Sequence, residues 1–376
     1  MHRRQDEVEM STQVQSTARP ASRLKVTSVD VRARVGLALE AFLADYAAVL
    51  GRVGDELSDL EAPLQASVLA GGKRLRPLFA YWGARAAGAS DDEALIRAAA
   101  SLELLHAFAL IHDDVMDGSD LRRGRPSAHR ALAAAHRAAG RHGDPDRYGS
   151  AAAILLGDLL LVLSEQMLAT AGLSAPAALR TRDVFATMRL ELMAGQYLDI
   201  SAPTRGGVPV ERALRIAQYK SGKYTVEAPL HLGAAVAGAP AAVVDAYTAF
   251  ALPIGEAFQL RDDLLGVFGD SDVTGKPSGE DLREGKQTVL IAATRERATD
   301  AGRALLAERL GDPGLDEAGV TALRELIVDC GARDRVEKMI AERRTHALAV
   351  LEHAPLTDEG REALRTLAVA AVDRAA

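Results

Sequence analysis

Between His112 and Pro126 the chain reads HDDVMDGSDLRRGRP, crowding carboxylates and guanidinium groups into fifteen residues. Asp113 and Asp117 are four residues apart, so a helix stacks them one turn apart on one face, with Asp114 beside them. Like charges at that spacing repel and cost stability. A hard cation removes the penalty, because Mg²⁺ binds through one or two carboxylates together with substrate phosphates. Arg122, Arg123 and Arg125 follow at once, around a Gly124 that permits close backbone approach. Arginine forks suit diphosphate oxygens. Taken alone, the run also reads as an ordinary helix end followed by a solvated basic stretch.

Other segments decide between the two readings. In FQLRDDLLGVFGD, Gln259, Asp262 and Asp263 fall at i, i+3 and i+4, so one helix face carries all three. Such a face can meet the first aspartates across a helical bundle, where carboxylates on facing helices form metal sites. GGKRLRP, Gly71 to Pro77, sets Lys73, Arg74 and Arg76 beside two glycines at a helix start. Positive charge there opposes the helix dipole, which argues for a bound anion instead of a structural role. Lys223 and Thr225 in KSGKYTVEAPL, and Lys276 and Lys286 in the Gly-rich stretch that follows the second acidic run, complete a set of basic groups. A solvated lysine is the default for either segment, and only their company points to chemistry.

The elements that must position these groups are helical. The 376 residues are 48% hydrophobic, rich in Ala and Leu and poor in aromatics, a composition that favours helices over strands. Apolar residues recur at three and four from about Val29 onward, and no alternating strand is evident. Breaks are expected near Gly71-Gly72, Gly118-Ser119, Gly140 to Gly149, Ala202 to Pro209, Gly238 to Pro240 and Asp270 to Gly285, giving roughly a dozen helices. Residues 1–28 read as a disordered polar leader and 29–376 as one all-α domain. The most apolar stretches are interrupted by Asp158, His231 and Asp245, so no membrane span is expected. A net charge of -7 excludes a general nucleic-acid surface, and the single Cys330 excludes an internal disulfide and fits a reducing cytoplasm.

With both acidic motifs, RRG and GGKRLRP in one order, the chain resembles the trans-isoprenyl diphosphate synthases, and within them the bacterial geranylgeranyl type. The resemblance runs from about residue 35 to the C-terminus. It implies an all-α bundle around a deep central cavity, a homodimer, and three Mg²⁺ ions, with Mn²⁺ as the alternative. It implies that Asp113 and Asp117, with Asp114 beside them, hold metal on the allylic diphosphate, and that Asp262 and Asp263 hold it from the opposite wall. Lys73, Arg76, His106 and Arg123 match positions that bind isopentenyl diphosphate. Arg122, Lys223, Thr225, Gln259 and Lys276, with Lys286 added, match positions that hold the allylic diphosphate or stabilise a cation. Two departures stand out: Gly266 replaces the last carboxylate of the second motif, and Tyr224 separates Lys223 from Thr225. Asp270 one turn further on makes the first departure tolerable.

The implied chemistry is ionisation of the allylic C–O bond, attack by the isopentenyl double bond, and loss of a proton to the departed diphosphate. No side-chain base is needed, so His112 and His129 read as structural. Product length depends on the cavity floor. Phe108 lies about 7.5 Å before Asp113 along the helix, and with Ala109 it is expected to set a twenty-carbon product, geranylgeranyl diphosphate, with farnesyl diphosphate next. A class I cyclase and a head-to-head synthase share the aspartates but do not need GGKRLRP and RRGRP. A catalytically silent partner subunit is the nonenzymatic alternative, and it would be expected to have lost more than Gly266.

Overall fold

Helix α1 (Ser28–Gly51) begins at a capping box in which Thr27 and Asp30 satisfy each other's backbone donors. The computed structural model describes residues 27–269 and 279–373. Two helices follow before the long central one: α2 (Glu61–Leu69), α3 (Leu75–Ala86) and α4 (Glu93–Asp117). Next come α5 (Ala128–Ala138), α6 (Pro145–Ala169), α7 (Ala175–Ser201) and α8 (Val210–Ala217). After a π-helical segment, α9 (Ala228–Ala237) leads into α10 (Ala241–Phe268). The remainder is α11 (Glu280–Arg283), α12 (Val289–Arg297), α13 (Asp300–Arg309), α14 (Glu317–Asp329), α15 (Ala332–His353) and α16 (Asp358–Val372). The all-α expectation holds. The expected polar leader lies almost wholly outside the described residues.

One expectation needs refinement. Leu121–Arg122 and Arg125–Pro126 are two-residue antiparallel strands, β1 and β2, too short for an alternating pattern to register in the sequence. Arg123 and Gly124 between them have φ of 54° and 71°, the two left-handed positions of a type I′ hairpin. This hairpin follows directly on α4, which Gly118 stops with φ 69°.

The core runs without interruption from Val31 in α1 to Val372 in α16. α4 lies at its centre, packed on α1, α2, α3, α5, α6 and α9. By length and composition, α4, α6 and α10 could each cross a membrane. In the fold, 72% of the apolar window of α4 is buried in the bundle, so its apolarity serves packing.

The segment Gln218–Glu227 has π winding and continues directly from α8. The Ala228 N–H reaches back five residues to the Lys223 carbonyl, and Pro229 has no N–H to offer the carbonyl four residues before it. Such wide turns are rare and recur at functional sites. Glycines let this segment sit tightly between α7 and α10. A Cβ on Gly195 would lie 2.4 Å from the Lys220 nitrogen, and one on Gly255 would lie 2.6 Å from the Gly222 carbonyl oxygen. Backbone on backbone cannot yield to a methyl as a flexible side chain can. Gly255→Ala is therefore expected to lower stability by about 1–3 kcal/mol, read from the urea unfolding midpoint. An unchanged midpoint would show that the two helices can separate at no cost.

Candidate active site

A cavity of about 980 Å³ opens between the C-terminal half of α4 and the facing part of α10. From α4 it takes His106, Ala109, Leu110 and Asp113, and from α10 Gln259, Asp262, Asp263 and Gly266. GGKRLRP supplies Lys73, Arg74 and Arg76, the hairpin supplies Arg122 and Arg123, and Lys286 closes the ring. Motifs more than two hundred residues apart thus meet at one space.

The aspartates of α4 lie in its last turns, where the helix dipole already presents negative charge. They are stable there because cations come to them. The Lys220 ammonium is 3.1 Å from Asp113 and 2.5 Å from Asp199, and the Gln196 amide donates to Asp113 at 2.9 Å. Burial raises the Asp113 carboxyl, but Lys220, Lys286 and Arg122 outweigh it and hold it well below the usual carboxylate range. Asp117 shifts the opposite way: burial pushes it up, and the Asp113 charge adds to that against the pull of Lys286, 3.2 Å away. Lys286 also meets Glu284 at 2.6 Å and Asp281 at 3.5 Å.

The hairpin sends its two adjacent arginines in different directions. Arg122 donates from Nε to Asp114 at 2.9 Å and lies 3.7 Å from Asp113. Arg123, at the turn, donates instead to the Gly71 carbonyl at 2.9 Å, beside GGKRLRP. Arg74 and Arg123 are the non-glycine residues with positive φ among those described, a conformation that costs roughly 1–2 kcal/mol each. Specific contacts hold both. Arg74 is buried in an ion pair with Glu103 at 2.6 Å and donates to the Val68 carbonyl at 2.8 Å. Arg76 lies over the Tyr224 ring, 4.1 Å from its centroid, and donates to the Thr225 hydroxyl at 2.8 Å. The result is a second cationic pole, distinct from the lysines on the aspartates.

On the opposite wall the Gln259 amide donates to Asp263 at 2.8 Å. Burial, with help from the charges of Asp281 and Asp262, pushes the Asp263 carboxyl up to about 8. Among the described residues no three His, Cys, Asp or Glu side chains converge as a ready cation cage. Mg²⁺ keeps waters and binds through one or two carboxylates plus phosphates. The donor set is all oxygen, on two facing walls, and fits a metal that arrives with a diphosphate.

A family model described as polyprenyl synthetase matches residues 58–327. The chain belongs to the polyprenyl synthetase family. It is similar to the crystal structure of geranylgeranyl pyrophosphate synthase from Corynebacterium glutamicum complexed with isoprenyl diphosphate and magnesium, at 41% identity and a TM-score of 0.90, over 93% of this chain and 100% of that one. It is 35% identical to a geranylfarnesyl diphosphate synthase of Aeropyrum pernix, over 82% of this chain and 92% of the relative. It is also 35% identical to a (2E,6E)-farnesyl diphosphate synthase of Mycobacterium bovis, over 81% and 80% respectively. This polyprenyl synthetase is thus a prenyl diphosphate synthase, among relatives that differ in product length.

Within it, five of the expected site residues fall off the cavity wall, among them Asp117, which is turned to Lys286 at 3.2 Å. Lys223 pairs with Glu191 at 2.6 Å and Glu227 at 3.4 Å. The cavity lysine is Lys220, followed directly by a hydroxyl residue, Ser221, that also lines the wall. Thr225 is fully buried behind Arg76. Asp114 is 2% exposed and turned onto Arg122, away from the space where Asp113 stands. The Phe108 ring packs edge-on to His112, centroids 4.9 Å apart, while Ala109 and Leu110 face the cavity. The physical reason is helical rotation: four residues before Asp113 is nearly the same face, five is not. Lys276 and Asp270 lie outside the described residues. Lys220, Gln196, Asp199 and Glu103 went unnoticed in the sequence, although Gln196 and Asp199 are spaced i, i+3 and so share a face.

His106 lies 2.9 Å from the Tyr224 hydroxyl. Burial and the charges of Arg76, Arg123 and Arg122 hold its imidazole well below its ordinary range, so it stays neutral. Below the unfolded-state value near 6.5 the unfolded chain takes up a proton that the folded chain refuses, so this group's stability is lost as pH falls. Folding stability from urea titrations between pH 7 and pH 5 should fall less steeply in His106→Gln than in the wild type. Parallel slopes would mean that His106 becomes charged in the fold.

Proposed function

We propose that this protein elongates allylic prenyl diphosphates with isopentenyl diphosphate and releases geranylgeranyl diphosphate. The observation that supports it is the pair of cationic poles in one cavity: Lys220, Lys286 and Arg122 beside the aspartates, and Lys73, Arg76 and Arg123 around His106. A cyclase acting on one diphosphate needs a single pole, and a silent subunit needs neither.

On this reading the lysine-rich pole grips the allylic diphosphate and the arginine-rich pole grips isopentenyl diphosphate. Asp113, Asp117 and Asp262 would hold Mg²⁺, three ions with Mn²⁺ as the alternative, which when bound would supply charge favouring departure of the allylic diphosphate. Lys220, Lys286 and Arg122 offset the negative charge that grows on the leaving oxygens as the allylic C–O bond breaks. The isopentenyl double bond forms the new C–C bond, and the proton lost from the adjacent carbon goes to the departed diphosphate. His106, neutral and turned to Tyr224, positions the second substrate. Gln259 faces the developing cation from α10. Ala109, Leu110, Leu192, Ala213 and Ile216 make the wall apolar where the growing chain must lie, and keeping water out protects the cation.

The protein acts as a homodimer in this proposal. Leu155 and Val162 on α6, and Leu179, Leu190 and Tyr197 on α7, are each more than 60% exposed and form apolar faces that a second copy would cover. Cys330 is free, in keeping with a cytoplasmic setting.

Purified protein incubated with isopentenyl diphosphate, Mg²⁺ and dimethylallyl, geranyl or farnesyl diphosphate should yield an elongated product, and no product from any primer would end the proposal. In the same assay Lys220→Ala should lower kcat/KM by about 100-fold or more, and Lys223→Ala should leave it within a few-fold.

Chain length is assigned to the wall that Ala109 and Leu110 form. Chromatography of the products should show Ala109→Phe shifting the output from geranylgeranyl toward farnesyl diphosphate, with Phe108→Ala unchanged. Lengthening by Phe108→Ala would return the floor to Phe108, and a farnesyl product from the wild type would correct the assignment.

A further inference from the structure

Glu103 is out of place by charge in the arginine-rich pole. It lines the cavity with Lys73, Arg76, His106 and Arg123, where a carboxylate repels any diphosphate that enters. Its field reaches the pole: burial pushes the Arg123 guanidinium below its ordinary value, and the Glu103 charge opposes that push. By Coulomb's law alone this place would hold an anion better without Glu103.

The partner of Glu103 supplies a reason for its presence. Arg74 has φ 49° and ψ 41°, a left-handed conformation at the residue that caps α3, and a residue with a Cβ adopts it only at a cost. Both ends of its fork are taken by protein: Nη1 meets Glu103 at 2.6 Å and Nη2 donates to the Val68 carbonyl at 2.8 Å. The ion pair is buried on both sides, its side chains 9% and 6% exposed. One guanidinium thus ties the end of α2 and the middle of α4 to the turn that opens α3. The Arg74 carbonyl accepts the Leu78 N–H at 3.2 Å, so the first turn of α3, which carries Arg76, starts from this residue. Lys73 directly precedes it.

We propose that Glu103 is a positioning residue for isopentenyl diphosphate: by holding Arg74 in its left-handed turn it sets Lys73 and Arg76, and so strengthens anion binding in spite of its own charge. The inference rests on the assignment of the arginine-rich pole to that substrate. Arg74 is the link and not a ligand, since its fork is spent on protein. Two effects of opposite sign therefore meet in one side chain. Removing the carboxylate tightens anion binding if its field dominates, and weakens it if the turn does. A neutral residue at 103 leaves the Arg74 charge buried without a counter-ion, an arrangement that drives the side chain out of its place. Glycine at 74 takes the same backbone conformation without strain and carries no charge to compensate.

The test is calorimetric titration of the full-length protein with isopentenyl diphosphate, together with the KM of each substrate in the elongation assay and thermal melting to confirm folding. Glu103→Gln should weaken isopentenyl diphosphate binding by about 10-fold or more. Its KM for that substrate should rise in step, more than kcat changes, with the KM for geranyl diphosphate held within about twofold. Glu103→Asp keeps the charge but withdraws it from Arg74 by one methylene, and should weaken binding in the same direction; it decides the matter if Glu103→Gln does not fold. Glu103→Gln/Arg74→Gly should bind isopentenyl diphosphate several-fold better than Glu103→Gln. Unchanged or tighter binding in folded Glu103→Gln or Glu103→Asp overturns the inference, as does an equal rise in both KM values, which would mark a general loosening of the bundle. If the wild type binds no isopentenyl diphosphate, the assignment of the pole falls first and the inference falls with it.

Discussion

Three carboxylates sit in the last turns of α4, at the negative end of a long helix dipole and inside a protein wall. Nothing in the helix itself supports that arrangement, since the aspartates repel one another and the dipole repels all three. Much of the surrounding structure can be understood as the supply of positive charge to this point. Arg122 returns from the hairpin, Lys220 comes from the π segment and Lys286 follows α11. The three cations approach from three elements, leaving Asp113 on the cavity wall.

The same requirement explains why the fold tolerates costly local features. Arg123 takes a left-handed turn position that glycine or asparagine would fill more easily. In return, the chain reverses between Arg122 and Arg123, and neighbours in sequence serve opposite poles of the cavity. The π segment sacrifices regular winding and needs Gly195 and Gly255 against its backbone. It thereby brings Lys220 within hydrogen-bonding distance of Asp113 while Tyr224, one turn on, supports Arg76 and His106.

How much of the site could be read from the chain differs between its parts. The first aspartates, GGKRLRP, the paired arginines, and the Gln259 to Asp263 face were all legible, because each is a compact run in which residue type and helical spacing carry the chemistry. Lys223 and Thr225 were expected at the site but lie off the cavity wall, because motif spacing was followed without tracking the helix face. Ala213, Ile216, Ala217, Lys220, Ser221 and Tyr224 recur at three and four along the cavity wall, and Lys223 falls outside that stripe. The same rotation sets Phe108, expected on the floor, against His112 while its neighbour Ala109 lines the cavity.

The sequence by itself determined the helical class, the punctuation of the bundle, and the presence of two acidic faces and two basic runs. These follow from local propensity and periodicity, which act within a few turns of chain. Only the tertiary structure decided which cation meets which carboxylate. That Lys220 serves Asp113 and that Arg122 and Arg123 part company depend on how helices distant in the chain approach one another. Such approach is set by backbone-to-backbone packing at glycines and by the burial of the core as a whole, and no local pattern encodes it.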